Sequence, residues 1–298
     1  MGSSQISGVL NVLKPAGITS HDVVARLRRV FRQRRIGHAG TLDPAARGVL
    51  LIGLGPATRV LEYLGELPKT YRARIVLGTT TDTLDAEGVV TGQAPWEHTR
   101  WEDVRAALER FRGEVLQVPP MYAAIKRDGR PLHELARQGI TVPRDPRPVC
   151  IHTLTALAWE PPRLDLDIVC SQGTYIRALA RDLGVELGTG AHLASLTRTA
   201  IGPHDLRTAI SLCMLDLWGR DRAQAAIMTM RQALSHLPSI QATEEQATAL
   251  RQGRSLELDP APPRAPALAV DDRGETIAIL VRSDDDTWHP TKVLMPVL

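Results

Sequence analysis

The chain has 298 residues, enough for one large domain with an appendage or for two domains, and its 43% hydrophobic and 23% charged content is ordinary for a globular protein. No apolar run approaches the ~20 residues of a membrane helix, and the N-terminus lacks the basic-then-apolar pattern of a signal peptide. The net charge is +3, but residues 1–50 carry eight basic and two acidic side chains and sum to +6, which leaves −3 for the rest. These features predict a cytoplasmic protein whose N-terminal segment suits a phosphate backbone.

The cysteines predict a reducing environment. Cys150, Cys170 and Cys213 are far apart in the sequence, form no metal-ligand spacing and sit in apolar surroundings. Because three cysteines cannot all pair, we expect reduced thiols in the core of a cytoplasmic protein.

The first predicted elements are a strand and a helix. A short apolar run at residues 8–13 predicts a buried strand. Thr19 or Ser20 caps a helix that runs to about Phe31 and carries a buried stripe at helical spacing. Another face of the helix and of the residues after it is basic and is formed by Arg28, Arg32 and Arg35. This face leads directly into residues 35–50, so it is either solvated or in contact with RNA.

Residues 35–50, with the sequence RIGHAGTLDPAARGVL, are the most informative stretch of the chain. Gly37 and Gly40 permit backbone angles that other residues avoid, and Pro44 biases Asp43 toward an extended conformation. A carboxylate on a rigid turn beside arginines suits chemistry on an anionic substrate. The alternative is an Asp that only bonds its own backbone in a turn.

The middle of the chain alternates between strands and helices. Residues 69–78 and 164–170 show the period of two that is typical of strands. The acidic segment 79–88 does not fit the ligand spacing of an EF-hand, so we interpret it as a polar loop. Helices are predicted at about 99–112 and 175–187.

From residue 120 onward, the sequence predicts a basic insertion that leaves the main sheet, a helical segment and a small terminal unit. Residues 120–148 are basic and rich in proline, and residues 209–234 have helical spacing. Strands are predicted at 267–270 and 276–281. Because residues 241–298 are too few for an easy stand-alone core, we expect them to dock on the larger domain.

Four motifs, in this order along the chain, resemble the TruB family of pseudouridine synthases. They are KPAGITS at 14–20, GHAGTLDP at 37–44, KTYRA at 69–73 and GTYIR at 173–177. The resemblance spans about residues 8–202, and a match of this length and order is specific. Residues 120–148 resemble the thumb insertion of the family, and the C-terminal unit resembles a PUA-type domain more weakly.

The resemblance implies a mixed α/β (α+β) pseudouridine-synthase fold, with a central, largely antiparallel sheet flanked by helices. The catalytic domain is expected at residues 1–240 and contains the thumb at about 120–148. A small, β-rich PUA-like domain that binds RNA is expected at residues 241–298.

The resemblance also implies the reaction, the isomerisation of uridine to pseudouridine at position 55, in the T loop of tRNA, after the base has been flipped out. Asp43 is the implied nucleophile, and its attack on the sugar or on the base stays open. An Asp carboxyl is ionised at neutral pH, but burial beneath a base raises its pKa, so a cation must hold it charged. In the family, the arginine at the position of Arg177 pairs with the catalytic aspartate, so the resemblance implies that Arg177 is this cation. Tyr71 stacks on the flipped base and assists removal of the carbon-5 proton.

Four further residues take binding roles from the resemblance. His38 fills the space that the flipped base vacates, Tyr175 lines the pocket, Leu196 contacts the uracil and Lys14 packs under the active-site loop. Neither a metal nor a cofactor is expected. The expected partner is the T stem-loop of tRNA, and the chain is expected to act as a monomer, without a membrane or a protein partner.

Two alternatives stay open at the level of sequence. The chain could be an RNA chaperone that binds and refolds tRNA, in which case it would bind the T arm and form no pseudouridine. It could also be a metal-dependent hydrolase, which a chelator would inhibit. Its ligands would come from five residues: His38, Asp43, Asp82, Asp85 and Glu87.

Overall fold

The structure is a computed structural model that describes residues 6–127, 129–258, 261–263, 266–284 and 287–294. The ends of the two predicted domains, residues 1–5 and 295–298, lie outside the described residues.

The described residues form strands and helices along the whole chain. The strands are β1 (Gly8–Lys14), β2 (Ile36–Ala39), β3 (Arg47–Leu54), β4 (Lys69–Leu77), β5 (Thr79–Thr81), β6 (Val90–Gln93), β7 (Gly113–Gln117), β8 (Lys126–Arg127), β9 (Arg130–Pro131), β10 (Arg147–Glu160), β11 (Arg163–Cys170), β12 (Ala191–Ile201), β13 (His204–Asp205), β14 (Ile210–Ser211), β15 (Ser239–Gln241), β16 (Ala267–Val270), β17 (Thr276–Arg282) and β18 (Trp288–Val293). The α-helices are α1 (Ser20–Phe31), α2 (Leu61–Glu66), α3 (Trp101–Arg110), α4 (Leu132–Arg137), α5 (Ile176–Glu186), α6 (Leu212–Gln224), α7 (Met230–Ala233) and α8 (Glu244–Arg251), and a 3-10 helix spans Gly55–Val60.

The chain divides into two compact units. Unit 1 comprises Met1–Asp43, Val49–Gly65 and Leu206–Leu298, and unit 2 comprises Pro44–Gly48 and Glu66–Asp205. The predicted domain boundary at residue 240 stays a prediction.

Unit 1 contains an α/β layer in which α1 packs on strands. Its strands have the order β14-β1-β3, and β2 pairs with β3 in the antiparallel sense. As predicted, Thr19 caps α1: its hydroxyl accepts from the Asp22 amide, and the Asp22 carboxylate accepts from the Thr19 amide. The buried stripe of the helix then joins the core of this layer: Val23, Val24, Leu27 and Phe31.

Unit 1 also contains a small C-terminal sheet of order β15-β16-β17-β18, with Trp288 at the centre of its core. β18 meets α2 and the 3-10 helix through polar contacts. Lys292 Nζ lies 2.9 Å from Glu62 Oε1, and Arg59 donates to the carbonyl of Val293. These contacts agree with the expectation that the C-terminal segment docks on preceding parts of the chain.

Unit 2 is built on antiparallel strands in the order β12-β4-β11-β10-β7. The first two residues of β3, Arg47 and Gly48, run parallel to β12. The helices α3 and α5 belong to this unit, and α5 contributes a row of fully buried residues to its core: Ile176, Ala178, Leu179 and Leu183. The predicted mixed α/β class with largely antiparallel strands is therefore confirmed.

The predicted thumb, at about residues 120–148, consists of a short hairpin, β8 and β9, followed by α4. Ala123, Leu132 and Leu135 are buried together here. Asp128 lies outside the described residues.

Two expectations need correction. Residues 209–234 are not one helix, because Gly219 has φ +67° and breaks α6, and the chain leaves helical structure again before α7. Of the three cysteines, all of which are free thiols, only Cys170 is buried; Cys150 is half-buried and Cys213 is exposed. In the part of the chain that the structure describes, no helix has both the length and the apolar character of a membrane span.

Candidate active site

The loop that carries Asp43 is held by hydrogen bonds to the start of α1. The buried Ser20 hydroxyl donates to the carbonyl of Leu42 at 3.2 Å and accepts from its amide at 2.9 Å. Gly40 has φ +82°, a conformation that favours glycine and lets the chain turn ahead of the Asp. Asp43 follows this anchored residue and is half-buried. Its backbone position is thus fixed by a bond between residues 22 positions apart.

Lys14 is fully buried and stabilises the turn between β1 and α1. Its ammonium donates to the carbonyls of Pro15 at 2.9 Å and Ile18 at 2.6 Å. His38 is half-buried on β2, directly opposite Ile52 of β3. Both residues lie in unit 1, as Asp43 does.

Tyr71 lies on the buried face of β4, where its side chain is 8% exposed. The neighbouring strand β12 places Leu196 opposite Ala73 and Arg198 opposite Tyr71. Residues two apart in a strand, and residues that face each other across a pair, project to the same side of the sheet. Tyr71, Leu196 and Arg198 therefore share one face of unit 2.

Tyr175 is fixed at the N-terminus of α5 by Gln117 of β7. The amide of Tyr175 donates to Gln117 Oε1 at 2.8 Å, and Gln117 Nε2 donates to the carbonyl of Tyr175 at 3.1 Å. The half-buried ring packs against the apolar cluster of the predicted thumb that contains Leu132 and Leu135.

Arg177 is 5% exposed and joins two segments of unit 2 that are far apart in the sequence. Its Nη2 donates to the carbonyl of Tyr122 at 2.8 Å, and its Nη1 donates to the carbonyl of Thr83 at 3.1 Å. Nη1 also lies 3.6 Å from Oδ2 of the buried carboxylate of Asp85. A guanidinium bound in this way is held in one orientation.

The polar loop predicted at residues 79–88 is the element that carries Asp85. Asp85 Oδ1 accepts from the Thr83 hydroxyl and from the Glu87 amide, and the loop is tied to β12 by two backbone hydrogen bonds with Leu193. Leu84 takes a left-handed conformation with φ +66° to make this turn. The loop thus presents one carboxylate and one carbonyl to Arg177.

The structure distributes the predicted site residues over its two units: His38, Asp43 and Lys14 belong to unit 1, and Tyr71, Tyr175, Arg177 and Leu196 belong to unit 2. Sequence reasoning considered Asp85 only as a metal ligand of the hydrolase alternative and missed it as a partner of Arg177. It also missed Gln117 and Arg198, which no local pattern marks.

The cluster proposed for a metal-dependent hydrolase does not form in the described residues, where no group of three His, Cys, Asp or Glu side chains is arranged to hold a metal ion. Asp85 instead faces Arg177.

The fold is similar to that of chains in two solved complexes. A chain of the crystal structure of a Cbf5-Nop10-Gar1 complex superposes with a TM-score of 0.76 at 26% identity, over 97% of this chain and 85% of that chain. A chain of the structure of an H/ACA RNP bound to a substrate RNA containing 2'-deoxyuridine superposes with a TM-score of 0.73 at 25% identity, over 97% of this chain and 85% of that chain.

The sequence matches a family and named relatives. Residues 28–176 match the family described as TruB family pseudouridylate synthase, N terminal domain. A tRNA pseudouridine synthase B of Dehalococcoides mccartyi is 42% identical over 97% of both chains, and one of Stutzerimonas stutzeri is 40% identical over 97% of this chain and 96% of the relative. The chain belongs to the TruB family of pseudouridylate synthases, so the predicted family and enzyme class are confirmed.

Proposed function

We propose that this protein isomerises uridine to pseudouridine at position 55, in the T loop of tRNA, with Asp43 as the nucleophile. The four motifs, the family and the relatives named tRNA pseudouridine synthase B support this substrate. The observation that carries the proposal is the buried, fixed guanidinium of Arg177 in the GTYIR motif. A guanidinium held in this way keeps a carboxylate beside it ionised when a base covers that carboxylate and excludes water.

In the proposed reaction the target uridine leaves the T loop and stacks on Tyr71, with Leu196 on the same face of the sheet and Tyr175 at the edge of the pocket. Stacking on an aromatic ring offsets part of the cost of extracting the base. His38 fills the vacated space, and Lys14 supports the turn beneath the Asp43 loop. Asp43 attacks, the uracil–ribose bond breaks, and the ribose is rejoined at carbon 5. Tyr71 assists the loss of the carbon-5 proton.

The proposal requires neither metal nor redox cofactor, because the reaction is an internal rearrangement that needs a nucleophile and a base. It places the enzyme in the cytoplasm, with tRNA as its partner and one chain as the active form. The thumb, at about residues 120–148, and the C-terminal segment 241–298 are proposed to grip the T arm.

The test is to incubate the purified chain with an unmodified T-arm stem-loop and to map pseudouridine, with and without EDTA. We expect conversion at position 55, no conversion in an anticodon stem-loop, and equal rates in EDTA. Asp43→Asn should abolish conversion and retain T-arm binding. Binding of the wild-type chain without any conversion would favour the RNA chaperone, and inhibition by EDTA would favour the metal-dependent hydrolase.

A further inference from the structure

A second buried arginine, Arg198, is paired with Tyr71 across neighbouring strands and has no role in the function proposed above. Arg198 is 1% exposed. On β12 it faces Tyr71 of β4 on one side and Gly48 of β3 on the other. It therefore stands between the strand of the stacking tyrosine and the strand that follows the Asp43 loop.

The backbone at this position is packed closely. A Cβ on Gly48 would lie 2.1 Å from the carbonyl oxygen of Arg198, so only glycine lets the two strands approach in this way. The backbone of Arg198 is thus held between β3 and β4. Because Arg198 and Tyr71 are opposite each other across the strand pair, their side chains project from the same face of the sheet.

Lys69 adds a second cation on this face. It lies two residues before Tyr71 on β4 and is 6% exposed. Burial and, to a smaller extent, the charge of Arg198 together lower the pKa of Lys69 to about 8, whereas Cys170 and Glu66 act in the opposite direction. Arg198 therefore acts electrostatically on Lys69, a neighbour on the buried face to which Tyr71 belongs.

A phenol that gives up its proton becomes negative, and a cation on the same side of the sheet favours that form. An ordinary tyrosine, with a pKa of about 10, is a poor proton acceptor at neutral pH. A base at this position therefore needs nearby positive charge.

We propose that Arg198 is a positioning residue that stabilises the negative charge on the Tyr71 oxygen while Tyr71 accepts the proton from carbon 5 of the rejoined uracil. This inference rests on the proposed function. In the step, the phenolate oxygen takes the proton, and the electron pair of the carbon–hydrogen bond becomes the double bond between carbons 5 and 6. The electron pair of the double bond between carbon 6 and nitrogen 1, present once the ribose is rejoined at carbon 5, moves onto nitrogen 1. Ring nitrogen 1 takes up a proton from water, and Tyr71 later returns its own proton to water.

The experiment compares the wild-type chain with Arg198→Gln and Arg198→Lys in single-turnover reactions on T-arm RNA. The target uridine carries hydrogen or deuterium at carbon 5. For Arg198→Gln we expect the rate of pseudouridine formation to fall by about tenfold or more, as for loss of assistance to a general base, and the deuterium isotope effect to rise. Arg198→Lys keeps the charge and should recover most of the rate, with an isotope effect between the other two.

A second substrate isolates the step. With 5-fluorouridine at the target position there is no proton to remove from carbon 5, so Arg198→Gln should consume this RNA as fast as the wild-type chain does. The matched control is Arg72→Gln, which removes an exposed arginine from the outer face of the same strand pair and should leave both rates unchanged.

An equal loss of rate on uridine and 5-fluorouridine, with an unchanged isotope effect, would overturn the inference and assign Arg198 a structural role. If Arg198→Gln does not fold by circular dichroism, Arg198→Lys decides: a slower reaction with a wild-type isotope effect also overturns it. Failure of the proposed function is a distinct outcome, in which the wild-type chain itself forms no pseudouridine.

Discussion

At the scale of single residues, the candidate site depends on how Arg177 is held. Two backbone carbonyls fix its direction, and Asp85 supplies a buried carboxylate beside it. Removing one partner of a buried ion pair is costly because the other charge stays buried. We expect Asp85→Asn to lower kcat by about tenfold or more, equivalent to about 1.4 kcal/mol, with a smaller change in KM.

Steady-state kinetics on T-arm RNA check this expectation. Glu87→Gln is the matched control, because Glu87 lies in the same loop with an exposed side chain. Unchanged kinetics for Asp85→Asn would mean that Arg177 keeps its position without the Asp85 charge.

Lys69 gives a prediction about pH and stability. Its pKa is about 8 in the folded protein, against an ordinary value of 10.5, so between these pH values the unfolded chain binds a proton that the folded protein does not. The free energy of unfolding should therefore gain a contribution that increases as the pH rises from about 8 to 10.5, and the destabilising contribution is fully present below pH 8. Lys69→Met should lack this rise.

Urea unfolding at several pH values measures the effect as the difference between wild type and Lys69→Met. The comparison with the variant matters because burial raises the pKa of Cys170 to about 11, which gives an opposite trend at alkaline pH in both proteins. The same dependence of the free energy of unfolding on pH in the two proteins would contradict the prediction.

At the scale of elements, the periodic spacing of apolar residues identified the regular helices and strands. The helix after Thr19 and the strands at 69–78 and 164–170 were predicted within a few residues, because each keeps a clean period of 3.6 or 2. β12 was not predicted. Register shifts between Leu193 and Ser195 and between Arg198 and Ala200 break its alternation, so the strand that carries Leu196 has no periodic pattern in the sequence.

The close approach of β3 and β12 predicts an intolerant glycine. In Gly48→Ala the new Cβ would meet the backbone of Arg198, and the residue would keep φ +120°, which side chains disfavour. We expect a loss of about 2 kcal/mol or more in the free energy of unfolding, measured by urea denaturation. Gly65→Ala is the control: it lies in α2 with no atom within 4 Å of the new Cβ, so it should be neutral or stabilising. Equal stability of the two variants would show that β3 can shift.

At the scale of the whole molecule, the sequence revealed the family and the types of side chain at the site, but it could not reveal their supports. Arg177 is bound by residues 55 and 94 positions away, and Tyr175 by a residue 58 positions away. Such partners follow from strand order and register, which local patterns do not encode. The motifs were recognisable because each is contiguous, whereas the pairing of Asp85 with Arg177 and the positions of Gln117 and Arg198 become visible only in the folded chain.

The charge distribution of the chain makes a testable statement about RNA binding. Residues 1–50 hold a net charge of +6, and Arg29, Arg32 and Arg34 are exposed at and just beyond the end of α1. Arginines that neutralise phosphates release counterions, so the logarithm of the binding constant should fall with the logarithm of the salt concentration by about 0.9 for each phosphate neutralised. Replacing these three arginines with Gln should reduce that slope by about 0.9 for every phosphate that the variant no longer neutralises.

The double variant of Arg72 and Arg74 to Gln is the control, because each of these arginines is already paired with an Asp and should release few counterions. Titrations of T-arm RNA at several salt concentrations measure the slope; an identical slope for the triple variant and the wild-type chain would place the phosphate-binding residues elsewhere on the protein.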